Sequence, residues 1–310
     1  MRREQPQHSS EGTRAPHIAK HLRKQVEGAL ESLAKARVSD EDVHKARRSL
    51  KKARAALRML RPGIPDAQYR SLNTTLRDAA RPLSQVRDSK VLLDTLHGLE
   101  ERYGEPAHSL KLAGFKQVLN QERTALAHQV TAAKTGALAH SRRMLRESLQ
   151  VIARLPVGKK DHWMTFGEGL RRVYRKARRA MAEAHQKQEA ATFHEWRKEV
   201  KYLRYELELL EPLWPGVIGE LADQAHKLSD YLGDEHDLTV LGEAVTAKRD
   251  LIRDEASQSA LLALIAKRQR ELREKALLLG PRLFADKPKE FVRRFEKHWR
   301  QWREDHGRAA

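Results

Sequence analysis

Residues 43–62 read VHKARRSLKKARAALRMLRP, residues 193–212 read FHEWRKEVKYLRYELELLEP, and the two align at a constant offset of 150. His44 pairs with His194, Arg47 with Arg197, Arg48 with Lys198, Lys51 with Lys201 and Arg54 with Arg204. Leu57, Leu60 and Pro62 meet Leu207, Leu210 and Pro212. Further on, RPLSQVRDSKVLL (81–93) resembles DYLGDEHDLTVLG (230–242) at an offset of 149, which sets Arg87-Asp88 against His236-Asp237. Two copies are too few for a solenoid. They point instead to two similar bundles that face each other across a pseudo-two-fold axis.

Apolar residues recur at i, i+3, i+4 and i+7 nearly throughout, and alternating strand-type runs are absent, so the pattern predicts an all-α chain. Expected helices cover 17–37, 40–61, 66–103, 109–154, 162–187, 190–211, 216–250, 255–280 and 288–304. Ser39 or Asp40 can cap the second, and Pro62-Gly63 stops it. The 310 residues are roughly two domains at about 150 each. With Pro156-Val157-Gly158 as the break, the expected layout is a tail over 1–16, a first bundle over 17–156 and a second over 157–305.

Sixty-one Lys and Arg against forty-two Asp and Glu leave a formal charge of +19. That balance selects a polyanionic partner: nucleic acid, an anionic membrane face or a phosphate-rich ligand. The chain has no cysteine, which excludes disulfides, thiolate metal sites and cysteine nucleophiles. No stretch approaches the roughly 18 apolar residues of a membrane span, and the opening MRREQPQHSSEGTRAP offers no hydrophobic segment for a secretory signal. A cytoplasmic location is the expectation.

The charge is arranged in stripes. At about 100° per residue, His44, Arg47, Arg48, Lys51 and Arg58 share one helix face with Arg54 at its edge. Val43, Ala46, Leu50, Ala53, Leu57 and Leu60 form the apolar face beside it. Residues 44–61 contain no acid. Like charges at i, i+4 repel, so the missing counter-charge is expected from outside the chain. In the second copy His194, Arg197, Lys198, Lys201 and Arg204 share a face, Glu195, Glu199 and Glu206 lie opposite, and Glu208 takes the place of Arg58. A third stripe, Arg171, Arg175, Arg178 and His185, runs along 170–185. Arg donates a planar fork to phosphate, while Lys acts as a compact point charge.

His44 and His194 each stand at the edge of a basic stripe. Such a histidine can donate to phosphate, serve as a catalytic base or satisfy a hydrogen bond at a helix start; no nucleophile or carboxylate stands at a spacing that would make it a base. His226 and Asp230 have a ligand-like i, i+4 spacing near Asp234, His236 and Asp237, but their first-copy counterparts Arg77, Arg81, Gln85, Arg87 and Asp88 are mostly non-ligands. Neither a metal site nor a cofactor is expected. Metalloprotease, P-loop and dinucleotide fingerprints are all absent, so no enzyme is expected.

The two helices VHKARRSLKKARAAL and FHEWRKEVKYLRYELELL, followed by LSDYLGDEHDLTVL, resemble the CHAD family (conserved histidine α-helical domain) from about residue 17 to 305. The resemblance implies two four-helix bundles with a basic groove or pore between them and binding of inorganic polyphosphate. It further implies association of some members with polyphosphate granules or with a triphosphate-tunnel enzyme domain. Its basic positions correspond to His44, Arg47, Arg48, Lys51, Arg54, His194, Arg197, Lys198, Lys201 and Arg204, and Arg171, Arg175 and Arg178 fit the basic helix that opens the second half. Ser229 stands where the family commonly carries Gln, and Pro82-Leu83-Ser84 replaces the Leu-Gly seen at Leu232-Gly233. The tunnel enzyme's Glu-x-Glu-x-Lys motif is missing. The expectation is a non-catalytic polyphosphate binder, with partners among granule proteins. A nucleic-acid-binding helical protein is the alternative, against which stand an aromatic content of only 5% and the lack of a stacking platform.

Overall fold

A computed structural model describes residues 15–35, 38–131, 137–157 and 163–307, with the side chains of 84–89, 126–131 and 137 left aside. Residues 1–14 of the expected tail lie outside the described residues, and α1 begins at Ala15. The helices are α1 (Ala15–Ala34), α2 (Asp40–Leu60), α3 (Asp66–Ala80), α4 (Pro82–Tyr103), α5 (Glu105–His108) and α6 (Ala113–Thr131). There follow α7 (Ala137–Ala153), α8 (Met164–Lys187), α9 (Ala190–Leu210), α10 (Pro215–Ala247), α11 (Glu255–Leu283) and α12 (Pro288–Gly307). The described residues contain no strand, and no helix among them is long and apolar enough to cross a membrane.

Ser39 caps α2 through a capping box: its hydroxyl accepts from the Asp42 amide, and the Asp42 carboxylate accepts from the Ser39 amide at 3.0 Å. Helix α2 runs into a 3₁₀ turn at Arg61–Gly63, and α9 into one at Glu211–Leu213. Two expected helices are divided. The segment 66–103 breaks at Arg81, because Pro82 has no amide hydrogen to donate and starts α4 instead. Its counterpart α10, with Leu232-Gly233 at the matching place, stays continuous for 33 residues. The segment 109–154 becomes α6 and α7, and 132–136 between them lie outside the described residues.

Two hydrophobic cores form, and neither keeps to one side of Pro156. The larger joins α1, α2, α3 and α7 to α8, α9, α12 and the first half of α10 through residues such as Leu50, Leu57, Phe166, Trp196 and Leu207. The smaller packs Leu96 and Leu99 of α4 and Phe115 of α6 on Leu241 of α10 and Leu261 and Ile265 of α11. The apolar face expected on α2 is buried throughout. Ala55, Ala56 and Met59 are buried as well, so the last two turns of α2 are enclosed on most sides. At Gly169 of α8 a methyl group would lie 2.2 Å from the Met59 carbonyl oxygen; only glycine lets α8 approach α2 this closely.

Candidate functional site

Helices α2 and α9 meet through a reciprocal pair of contacts. Lys52 Nζ donates to Glu208 Oε2 at 2.8 Å, and the Arg58 guanidinium lies 4.0 Å from the centre of the Tyr202 ring. Positions 52 and 202, and 58 and 208, are each 150 apart, so the two contacts exchange equivalent places. This packing sets the amino-terminal half of the α2 stripe and the Arg197, Lys201 and Arg204 part of the α9 stripe on one depression.

The depression is a groove of about 560 Å³. Helix α2 contributes His44, Arg47, Arg48 and Lys51; α9 contributes Arg197, Lys201, Arg204 and Tyr205. Six Lys and Arg therefore line it. The opposite wall belongs to α10, with His226, Ser229, Asp230, Asp234, His236 and Asp237. Arg197 Nη2 is 4.0 Å from Asp237 Oδ1, His226 Nδ1 is 2.9 Å from Asp230 Oδ2, and Arg204 Nε donates to Glu208 at 2.9 Å. Among the described residues no group of three His, Cys, Asp or Glu is placed to hold a metal ion.

The electrostatics record how crowded the cations are. Burial, reinforced by Arg197 and Lys51, pushes the Lys201 ammonium down to about 6. Burial and the cations Arg197 and Lys198 lower His194; burial with Arg197, His194 and Lys201 lowers His236 to about 4. Asp234 is raised by burial and by Asp237. An anion in the groove would favour the charged forms of Lys201 and His236, which line it.

Not every expected residue reaches this groove. Arg54 lines a smaller neighbouring pocket of about 240 Å³ with Arg47, Lys51, Arg77 and Arg81, and its Nε donates to Asn73 Oδ1 at 3.2 Å. Arg58 is committed to the Tyr202 ring, because the end of α2 is enclosed. Lys198 is exposed and bonds Glu195 at 2.8 Å. The α8 stripe faces elsewhere: Arg171 pairs with Glu168 at 2.7 Å, Arg175 is exposed, and Arg178 Nε donates to the Phe284 carbonyl at 3.2 Å. Helix α8 spends its apolar face on α2, α9 and α12, which turns these arginines away from the groove. Glu206, which the helix angle sets opposite the basic stripe, is fully buried because α9 is covered on that side too. Arg77, Arg81, Asp230 and Asp234 were not anticipated as neighbours of the site; the signal available was the pairing across the repeat, Arg77 with His226 and Arg81 with Asp230.

Comparison with known proteins matches the CHAD domain family model to residues 17–246. No curated protein sequence matches. Among solved structures, PptA from Streptomyces chartreusis superposes with a TM-score of 0.61 at 17% identity over 88% of this chain and 99% of that one. The CHAD domain from the plant Ricinus communis gives a TM-score of 0.61 at 17% identity over 92% of this chain and 96% of that one. At this identity the two structures share the fold with this chain.

Proposed function

Because the chain belongs to the CHAD domain family, we propose that it binds inorganic polyphosphate in the groove between α2, α9 and α10, without catalysis. The observation that carries this reading is the convergence of Arg47, Arg48 and Lys51 with Arg197, Lys201 and Arg204 on one cavity. A repeating phosphate chain is the complementary ligand: it offers one charge per unit and lets each guanidinium take two oxygens. Releasing its condensed counterions would make binding fall steeply with salt, as for nucleic acid. We place the protein in the cytoplasm, in association with polyphosphate granules and their proteins.

The finer architecture belongs to the same proposal. Two pseudo-symmetric bundles from an internal duplication are supported by the shared bounds of α2 and α9, 40–60 and 190–210, by the 3₁₀ turn after each, and by the exchanged contacts Lys52–Glu208 and Arg58–Tyr202.

Reversing Arg47, Lys51, Arg197 and Lys201 to Glu should abolish retention of long-chain polyphosphate while leaving the helical circular dichroism intact. Retention equal to that of the unsubstituted protein excludes the groove. Long-chain polyphosphate should displace a labelled oligonucleotide at matched phosphate concentration, and the reverse displacement should fail; the opposite result selects the nucleic-acid alternative. No orthophosphate should appear with or without divalent metal.

A further inference from the structure

Arg47 and Lys51 line two cavities. One is the groove; the other is the pocket between α2 and α3, completed by Arg54, Arg77 and Arg81. The second pocket has five basic lining residues and no acidic one. Its nearest carboxylate, Asp78, is spread over two arginines: Arg77 Nε donates to Oδ1 at 3.0 Å and Arg81 Nη2 to the same oxygen at 3.1 Å. Arg77 and Arg81 keep more than half of their side-chain surface exposed, at 52% and 72%. Arg54, by contrast, is half-buried, and burial together with Arg58 and Arg77 lowers its pKa.

The repeat-equivalent positions of the second half carry the opposite character. Where the end of α3 and the residue after it carry Arg77 and Arg81, α10 has His226 and Asp230, with His226 Nδ1 2.9 Å from Asp230 Oδ2. A polyanion lying on Arg47 and Lys51 therefore meets carboxylates on its α10 side and further guanidinium groups on its α3 side. Resting on the polyphosphate reading above, we propose that Arg77 and Arg81, beside the already expected Arg54, form a second phosphate subsite continuous with the groove, so that a long chain leaves the groove over Arg47 and Lys51 towards α3 and is held asymmetrically despite the repeat.

The test is the binding of long-chain polyphosphate and of tripolyphosphate to the full chain and to R77A/R81A across a salt series. Long-chain affinity should fall about tenfold or more, as for loss of charge-assisted hydrogen bonds. The slope of log K against log salt should shrink by about 1.4, two contacts at roughly 0.7 each. Tripolyphosphate, short enough to stay in the groove, should lose less. Long-chain affinity and slope equal to those of the unsubstituted protein overturn the subsite. If R77A/R81A loses its helical signal, D78N decides: freeing both arginines should tighten long-chain binding, and no gain overturns the proposal. Should the groove reversal R47E/K51E/R197E/K201E also leave binding untouched, the polyphosphate reading itself fails, a result distinct from failure of the subsite alone.

Discussion

His194 and His236 face each other with their Nδ1 atoms 3.1 Å apart and their ring centroids 4.3 Å apart. One nitrogen must carry the proton and the other accept it, so the contact cannot survive with both rings protonated. Arg197, Lys198 and Lys201 of α9 press in the same direction, Glu195 opposes them at His194, and Asp237 of α10 stands 4.0 Å from Arg197. His236 is lowered to about 4 from 6.5, so the folded protein binds this proton more weakly than the unfolded chain. The histidine costs nothing above pH 6.5 and destabilises progressively as pH falls towards 4. The urea midpoint should drop between pH 7 and pH 5, and less so in His236→Asn. A residual drop is expected from His21, lowered to about 4 by burial and Lys52. An equal drop in both proteins would show that His236 is not a source.

Lys201 supplies a second pH-linked outcome. With a pKa of about 6 it is mostly neutral at pH 7, and a phosphate in contact raises it. Polyphosphate binding at pH 7 should take up close to one proton at this site, read as the dependence of calorimetric heat on buffer ionisation enthalpy. Lys201→Met should reduce the uptake by that amount. Heats independent of buffer in the unsubstituted protein would contradict a neutral Lys201.

Much of this architecture is legible in the residues, and what is not has specific causes. Helical periodicity and the 150-residue offset locate α2 and α9 to within a residue of their ends: Ser39 caps the start of α2, Pro62 and Pro212 stand beyond the two ends, and the offset carries the start of α2 over to α9. The groove residues His44, Arg47, Arg48, Lys51, Arg197, Lys201 and Arg204 come from the same pattern. A stripe gives the face of a helix but not what that face meets. Arg58 belongs to the basic stripe of α2 by its angle, yet it ends on Tyr202, since the crossing with α9 falls at that turn. Arg171 and Arg178 form an equally good stripe on α8 and find Glu168 and the Phe284 carbonyl instead of the groove. The acidic wall of α10 and the pocket of α3 depend on which helices become neighbours, and periodicity carries no information about that.

Gly169 is where the approach of α8 to α2 is most exposed to substitution. A methyl group there would stand 2.2 Å from the Met59 carbonyl oxygen and 2.6 Å from its Cα, backbone atoms that no rotamer change can move. Gly169→Ala should therefore cost about 1–3 kcal/mol, as overpacking does, and lower the melting temperature. Gly233, which lines the groove, meets nothing closer than Arg197 Nε at 3.9 Å. Gly233→Ala should fold at least as stably, with up to about 1 kcal/mol of helix propensity in its favour. Equal melting temperatures for Gly169→Ala and the unsubstituted protein would refute the close approach.

Glu206 occupies the place that Ala56 holds in the first half, and it is fully buried with neither carboxylate oxygen hydrogen-bonded. Burial raises its pKa well above 4.5; Arg58 opposes the shift and Glu199 adds to it. A carboxyl whose folded pKa is raised leaves stability unaffected below the unfolded pKa and penalises folding as pH climbs beyond it. Glu206→Met, which fills similar volume without a polar group, should exceed the unsubstituted protein by about 1–3 kcal/mol already near pH 4, the penalty of a buried polar group without a partner, and by more at pH 8, where the raised pKa adds its cost. Denaturation at the two pH values checks this. If the methionine variant were no more stable at pH 8, the carboxylate would have to be charged and held by Arg58, and that arginine would then anchor the α2–α9 crossing through Glu206 as well as Tyr202.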